Sequence, residues 1–390
     1  MSIKILQISA AYKPAYIYGG PTMSVAKLCE VLAENKVHVE VLTTTANGKT
    51  ELDVNINKVQ QVEGVNVTYF KRLTKDHTHF SPTLLLALRS RIRGQQSKSN
   101  DNKLIIHIHA WWNLISIFSC QIAKWYNIPV ILSPRGMLTN YTLGNRNGTF
   151  KSIIHTIMGK KLLTYCHIHA TSEKEKQDIL QFIQPKSLTV IPNLVELSKN
   201  KTKQLPQSFK QEDPFKLIFL SRIEEKKGLE LLFESLSGLT INWNLTIAGS
   251  GEDQYVKSLK EKAKNLKIQD RIKWIGQVKS ADKFKVLADH HLMVLTSYNE
   301  NFANVVIESL SVGTPVLIAN EVGLSDYVKD KKLGWVTSLS PQDIQQNLIL
   351  AFNDDELKSK IRANAPKIIS EDFDEKNLIQ KYITFYNQII

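Results

Sequence analysis

Cysteine is scarce and unpatterned in this chain: Cys29, Cys120 and Cys166 are the only three in 390 residues, and no two form a C-x-x-C pair. That spacing supports neither a disulfide framework nor a thiolate metal site, and it fits a reducing compartment. Long apolar runs are missing as well. No stretch approaches the roughly 18 apolar residues of a spanning helix, and the start MSIKILQIS enters a strand pattern directly, so export or membrane insertion is not expected. Helix-turn-helix, zinc-finger and RNP-like aromatic patterns are absent, which argues against a nucleic-acid partner. The two His-x-His pairs, His107/His109 and His167/His169, have no carboxylate or thiolate at ligand spacing, so metal: none is the expectation. Asp372-Phe373-Asp374 matches an ion-holding Asp-x-Asp by letter only; it precedes the last helix, where Asp is a good N-cap.

What is present is a long alternation of apolar strands and helical patterns. With 43% apolar residues the chain can build two cores. Strand-like runs fall at 3–8, 38–44, 104–109, 129–132, 167–171 and 188–191, separated by helical patterns such as 23–35. A second set falls at 216–221, 244–248, 272–275, 291–295, 315–318 and 334–336. Each set reads as an α/β parallel sheet. Between them, 196–214 is Lys-, Gln- and Pro-rich without periodicity and reads as a linker. The expected domains are therefore 1–195 and 215–374, with a final helix over 375–390.

Glu300 to Glu308 reads E-N-F-A-N-V-V-I-E and carries the clearest chemical signal. Its two carboxylates frame a helix start, where backbone N–H groups of Phe302, Ala303, Asn304 and Val305 would favour a phosphate. Arg222 ends a strand pattern, with Lys227 and Gly228 close behind, so two cations are available for the same anion. After the first strand, Gly19-Gly20-Pro21 lets a backbone approach a ligand closely, although a tight turn is the plain alternative. Gly249 opens a similar loop, which an ordinary strand-to-helix turn explains as well. Ser172-x-x-Glu175 is a capping box.

The stretches FLSRIEEKKG, IAGSGED and ENFANVVIESLSVGTPVL resemble the donor half of the retaining glycosyltransferases of family 4, and YGGPTMSVAKLCEVLAENKVHVEVLTT resembles their N-terminal Gly-Gly loop and first helix. SPRGML with HATSEKE is similar to a subgroup common in surface-polysaccharide synthesis. The resemblance implies the GT-B fold: two Rossmann-like, doubly wound domains facing across a cleft, the last helix returning to the first. It implies a retaining, metal-independent transferase with no cofactor, whose donor substrate is a nucleoside-diphosphate sugar and whose acceptor is a glycan or lipid-linked. Arg222, Lys227 and the Gly20 amide would stabilise the departing phosphate, Glu308 would hold the ribose, and Glu300 the transferred sugar. His109 would contact donor or acceptor. A non-catalytic sugar-nucleotide or polyanion binder and a nucleotide-sugar epimerase are the alternatives. Where many members have E-G-F-G, this chain has Glu300-Asn301-Phe302-Ala303, which leaves donor choice open. Where many have His-Gly, it has Arg135-Gly136, a cation available on the acceptor side for a phosphate or carboxylate, or for a structural ion pair.

Charge is uneven. Residues 1–195 hold 23 Lys+Arg against 11 Asp+Glu, and 196–390 hold 27 against 26. The basic excess, Arg89, Arg91 and Arg93 beside Leu84 to Leu88, and the pattern over 151–165 are compatible with an anionic membrane surface. A solvated basic surface or a helix packed on its own sheet is the plain alternative. The expected location is cytoplasmic, peripheral on the inner membrane face.

Overall fold

The computed structural model describes residues 3–76, 78–97, 103–139, 142, 159–198 and 214–390. The chain divides into two compact units, residues 1–194 with 375–390, and residues 195–374. Much of the segment read as a linker, and residues 151–158 of the basic segment, lie outside the described residues.

The first unit is built on an eight-stranded sheet. Its strands are β1 (Ile3–Ile8), β2 (His38–Thr44), β5 (Val59–Val62), β6 (Val65–Phe70), β7 (Lys103–His109), β8 (Val130–Ser133), β9 (His167–Ala170) and β10 (Ser187–Val190); Ala46–Asn47 (β3) and Thr50–Glu51 (β4) form a separate small hairpin. The order is β10-β9-β8-β7-β1-β2-β6-β5, parallel except where β5 pairs antiparallel with β6. β1 lies centrally, with Ile5, Leu6 and Ile8 buried on its two faces, as a strand covered on two sides requires. The β5–β6 hairpin turns on Glu63 and Gly64, both at positive φ (47° and 80°), the pattern of a two-residue hairpin turn. Helices Gly20–Glu34, Pro82–Gln96 and Leu114–Trp125 cover the sheet, and the C-terminal helix Glu375–Ile389 buries Leu378, Ile379, Tyr382, Phe385 and Tyr386.

The second unit has six parallel strands in the order β13-β12-β11-β14-β15-β16. They are β11 (Phe215–Leu220), β12 (Trp243–Ala248), β13 (Ile272–Gly276), β14 (Leu292–Leu295), β15 (Val316–Ala319) and β16 (Gly334–Thr337). This is the doubly wound, Rossmann-type order, in which connections reverse between β11 and β14.

No helix among the described residues is long and apolar enough to cross a membrane. In helix Pro82–Gln96, Leu84, Leu88 and Ile92 are buried, and so are Leu162 and Leu163 of the second basic segment. These described apolar residues therefore face the protein core rather than solvent. Cys120 and Cys166, distant in sequence, lie with sulfurs 3.4 Å apart, free and buried.

Candidate functional site

In a doubly wound sheet the ligand crevice opens beyond the carboxyl ends of the strands at the reversal point. In the second unit, β11 leads there into Ser221-Arg222 and β14 into Thr296-Ser297. The loop after Arg222 is drawn onto the β14 exit. Gly228 has φ 67°, and a Cβ there would lie 2.1 Å from the Thr296 carbonyl oxygen. The Thr296 hydroxyl donates to the Gly228 carbonyl at 2.9 Å, and the Tyr298 N–H to the Lys226 carbonyl at 2.9 Å. This clamp brings Lys227, only 5% exposed, into an ion pair with Glu300. Arg222 pairs with Glu224, and Lys226 Nζ lies 3.8 Å from the same carboxylate.

Three cations thus face two carboxylates. Burial raises the Glu300 carboxyl, but Lys227, Lys226 and Arg222 outweigh it and hold the group below its usual range. Burial pushes the Lys226 ammonium down, with Lys227 and Arg222 adding repulsion. Sequence reading passed over Lys226; its adjacency to Lys227 was the available signal.

Helix Asn304–Ser311 starts from Ala303, at φ 65° and ψ 73°. Ahead of it Glu300 is pinned by backbone bonds, its N–H to the Glu321 carbonyl (3.3 Å) and its carbonyl from the Gly323 N–H (2.8 Å). The Phe302 ring is buried edge-on to Phe373, so Phe302 offers a ligand backbone rather than ring. Glu308 is buried and pairs with Lys283 at 2.8 Å; burial lifts its carboxyl above the usual range despite that cation. Lys283 comes from a different helix, Ser280–Ala288, and no sequence spacing announces it. At Gly249 the structure supplies a packing reason: φ is 152°, and a Cβ would lie 1.9 Å from the Ser221 carbonyl oxygen. Asp372 is occupied by Tyr327 (2.8 Å) and Lys331 (2.9 Å). Among the described residues no group of three His, Cys, Asp or Glu side chains is arranged to hold a metal.

In the first unit the reversal lies between β1 and β7. Gly19 has φ 61° and ψ −135°, a conformation for glycine, and caps helix Gly20–Glu34. Gly20 differs: a Cβ there would meet nothing within 4 Å, so the space above this helix start is open.

At the ends of β7 and β8 the polar side chains form two chains of hydrogen bonds. His109, 2% exposed, places Nε2 2.7 Å from Gln7 Oε1, while Arg135 donates to Nδ1 from Nε (3.4 Å) and Nη2 (3.3 Å). Because Arg135 can only donate, Nδ1 accepts and Nε2 carries the proton toward Gln7. Both ring nitrogens are thereby engaged inside the protein, and His109 orients Arg135. The second chain fixes its own directions. His169 Nε2 must donate to the Ile191 carbonyl (2.9 Å), so Nδ1 accepts from Ser133 Oγ (2.7 Å). Ser133 then accepts from His107 Nε2 (2.7 Å), and His107 Nδ1 accepts from the Tyr386 hydroxyl (2.8 Å). Both rings are neutral: burial pulls His107 well below its usual value and His169 down to about 3.

The capping box has a second role. Ser172 accepts from the Glu175 N–H, but the Glu175 carboxylate accepts from Gly136 N–H (2.8 Å), Thr171 N–H (2.7 Å) and the Thr171 hydroxyl (2.9 Å). Because Glu175 sits deep among these donors, it also anchors the Arg135–Gly136 turn.

Residues 18–199 match the family described as Glycosyltransferase Family 4, and residues 200–368 the family described as Glycosyl transferases group 1. An uncharacterized glycosyltransferase of Methanocaldococcus jannaschii is 23% identical over 98% of both chains, and N-acetyl-alpha-D-glucosaminyl L-malate synthase of Bacillus anthracis is 20% identical over 95% of this chain and 94% of its own. Among solved structures, sucrose-phosphate synthase of Thermosynechococcus elongatus superposes with a TM-score of 0.75 at 17% identity, covering 100% of this chain and 99% of its own. Anabaena HepE, solved in complex with UDP and glucose, gives 0.73 at 19% identity over 99% of each chain. With two Rossmann-like units and matches that run through both, the chain belongs to glycosyltransferase family 4, of the GT-B fold.

Proposed function

We propose that this glycosyltransferase takes its sugar from a nucleoside-diphosphate sugar, transfers it with retention of anomeric configuration, and needs no metal ion. The observation that carries this reading is the cluster of Arg222, Lys226 and Lys227 at the crevice of the second unit, next to the start of helix Asn304–Ser311. Anionic charge develops on a departing diphosphate, and preorganised cations in a partly desolvated site stabilise it as it forms. Glu300, held ionised by those cations, is the acceptor for hydroxyls of the sugar, and Glu308 for hydroxyls of the ribose. Gly19 and Gly20 bring backbone toward the phosphates. The solved complexes of HepE with UDP, with UDP and glucose and with UDP-glucose support a uridine nucleotide as the first donor to test.

The proposed acceptor is a glycan or lipid-linked intermediate of cell-surface polysaccharide synthesis at the cytoplasmic membrane face. A surface feature of the first unit supports the membrane half. Trp125 is 71% exposed and Leu86 65% exposed, on the packed helices Leu114–Trp125 and Pro82–Gln96. Arg89 and Arg93 both donate to the Tyr126 hydroxyl beside them, whereas Arg91 is spent on Glu40. The test of donor use is a panel of sugar nucleotides with released nucleoside diphosphate as the readout. Release with one donor, coupled to a glycosylated product, supports transfer; binding without release points to a binder.

A further inference from the structure

Arg135 is an anomaly within the first unit. It has φ 54°, followed by Gly136 at 74°, directly after β8, so a non-glycine residue is held in a region that L side chains enter at a cost. Its guanidinium also lacks an ion-pair partner among the described residues, although the nearby Glu175 carboxylate attracts it. Its hydrogen-bond partners are His109 Nδ1 and, from Nη1 at 3.4 Å, Asn193 Oδ1, both neutral. No carboxylate among the described residues forms an ion pair with it. The nearby Glu175 gives both oxygens to Gly136 and Thr171. Of the five N–H donors of a guanidinium, three are engaged and the other two have no partner among the described residues. Strain and an unpaired, largely buried cation fall on one residue, and a neutral residue would avoid the second of these costs.

We propose that Arg135 forms a phosphate-class oxyanion subsite in the first unit, built from residues other than the Arg222–Lys227 cluster, with His109 and Asn193 as its positioning residues. The guanidinium plane is fixed on one edge by His109, whose ring is fixed in turn by Gln7, so the free donors are presented in a set direction. A planar fork held in this way suits two oxygens of one anion. This subsite rests on the glycosyl-transfer reading only for its use, as the place where a phosphate of the acceptor is held; the binding itself can be measured without any transfer.

The test is calorimetric titration of the full chain with inorganic phosphate in the presence of saturating UDP, and separately with UDP alone. Wild type and Arg222→Ala should both bind phosphate alongside UDP. Arg135→Gln should lose at least about tenfold in phosphate affinity, the size of one charge-assisted contact, and leave UDP affinity unchanged. Its melting temperature should stay level or rise, because a buried cation without an ion-pair partner has been removed; a structural ion-pair role would lower it. Should Arg135→Gln fail to fold, phosphate protection of Arg135 in the wild type against phenylglyoxal, read by peptide mapping, replaces it. Absence of phosphate binding or protection with UDP bound, unchanged binding in Arg135→Gln, or a loss confined to UDP would each overturn the proposal, the last by assigning Arg135 to the donor diphosphate.

Discussion

Ala303 shows how much one residue's backbone can say. At φ 65° it occupies the left-handed region, where an L side chain costs about 1–2 kcal/mol. Glycine would relieve that strain but lose about 0.5–1 kcal/mol to chain entropy. Ala303→Gly should therefore stabilise by on the order of 0.5 kcal/mol, seen as a higher urea midpoint at constant slope; a lower midpoint would mean that the methyl's packing outweighs the strain. The charged residues give a larger effect. Arg222→Ala or Lys227→Ala should cut turnover at least about a hundredfold, as loss of a preorganised donor does. Lys227→Ala also strips Glu300 of its ion-pair partner, so its fold should be checked by circular dichroism, and near-normal turnover in either folded variant would remove the diphosphate assignment. Glu300→Gln keeps the shape and drops the charge; an unchanged rate and donor preference would exclude Glu300 from the sugar pocket. Arg222, Lys227, Glu300 and Glu308 stand out in the sequence because they lie in short motifs, and the structure pairs Lys227 with Glu300. Lys283 was not, since its pairing with Glu308 depends on how two helices pack.

At the scale of elements, the strands were readable where they are apolar runs and less so at the sheet edge. β5, at the sheet edge, reads VQQV and is half-exposed, and β6 beside it interrupts its apolar residues with Asn66 and Thr68 across a Glu63-Gly64 turn, so both carry a weaker apolar signal. That the C-terminal helix returns to the first unit was legible only through the family resemblance, not from local pattern. Its Tyr386 and Tyr382 join the His107–Ser133–His169 chain across 279 and 213 residues of sequence, a distance no local pattern encodes. That chain has a consequence for pH. Burial lowers His169 from 6.5 to about 3, with Arg135 adding repulsion against the opposing pull of the Ile191 carbonyl. Between those two values the unfolded chain binds a proton that the folded one refuses, so stability is full above about pH 6.5 and falls as pH drops below it. Each histidine held neutral in this way contributes a slope of up to about 1.4 kcal/mol per pH unit. Urea unfolding at pH 7, 6 and 5 should show a progressive loss, less steep in His169→Gln; a flat profile would mean that the network takes up protons while folded.

For the molecule as a whole, two expectations follow from where charge sits. On the proposed reading, cationic side chains and a helix start in the second unit would supply the electrostatics that a divalent ion supplies elsewhere, so transfer should persist in excess chelator; complete loss restored by magnesium or manganese would overturn that part of the reading. In the first unit, the excess of 23 basic over 11 acidic residues in 1–195 is accompanied by a specific exposed group, Trp125, Leu86, Arg89 and Arg93, rather than by the buried leucines that the apolar runs suggest. A tryptophan and basic side chains on one face suit the headgroup region of an anionic bilayer, where the ring is partly buried and the charges meet lipid phosphate. Such attachment is weak enough to be salt-dependent, because surface charges reach only about 8 Å at physiological ionic strength. Sedimentation with vesicles should show binding to anionic and not to neutral lipid at low salt, reduced several-fold by Trp125→Ala and by joint Arg89→Gln and Arg93→Gln. Equal failure to bind both lipids would leave a soluble acceptor as the better reading, and binding unaffected by those substitutions would move the contact to another face of the same unit.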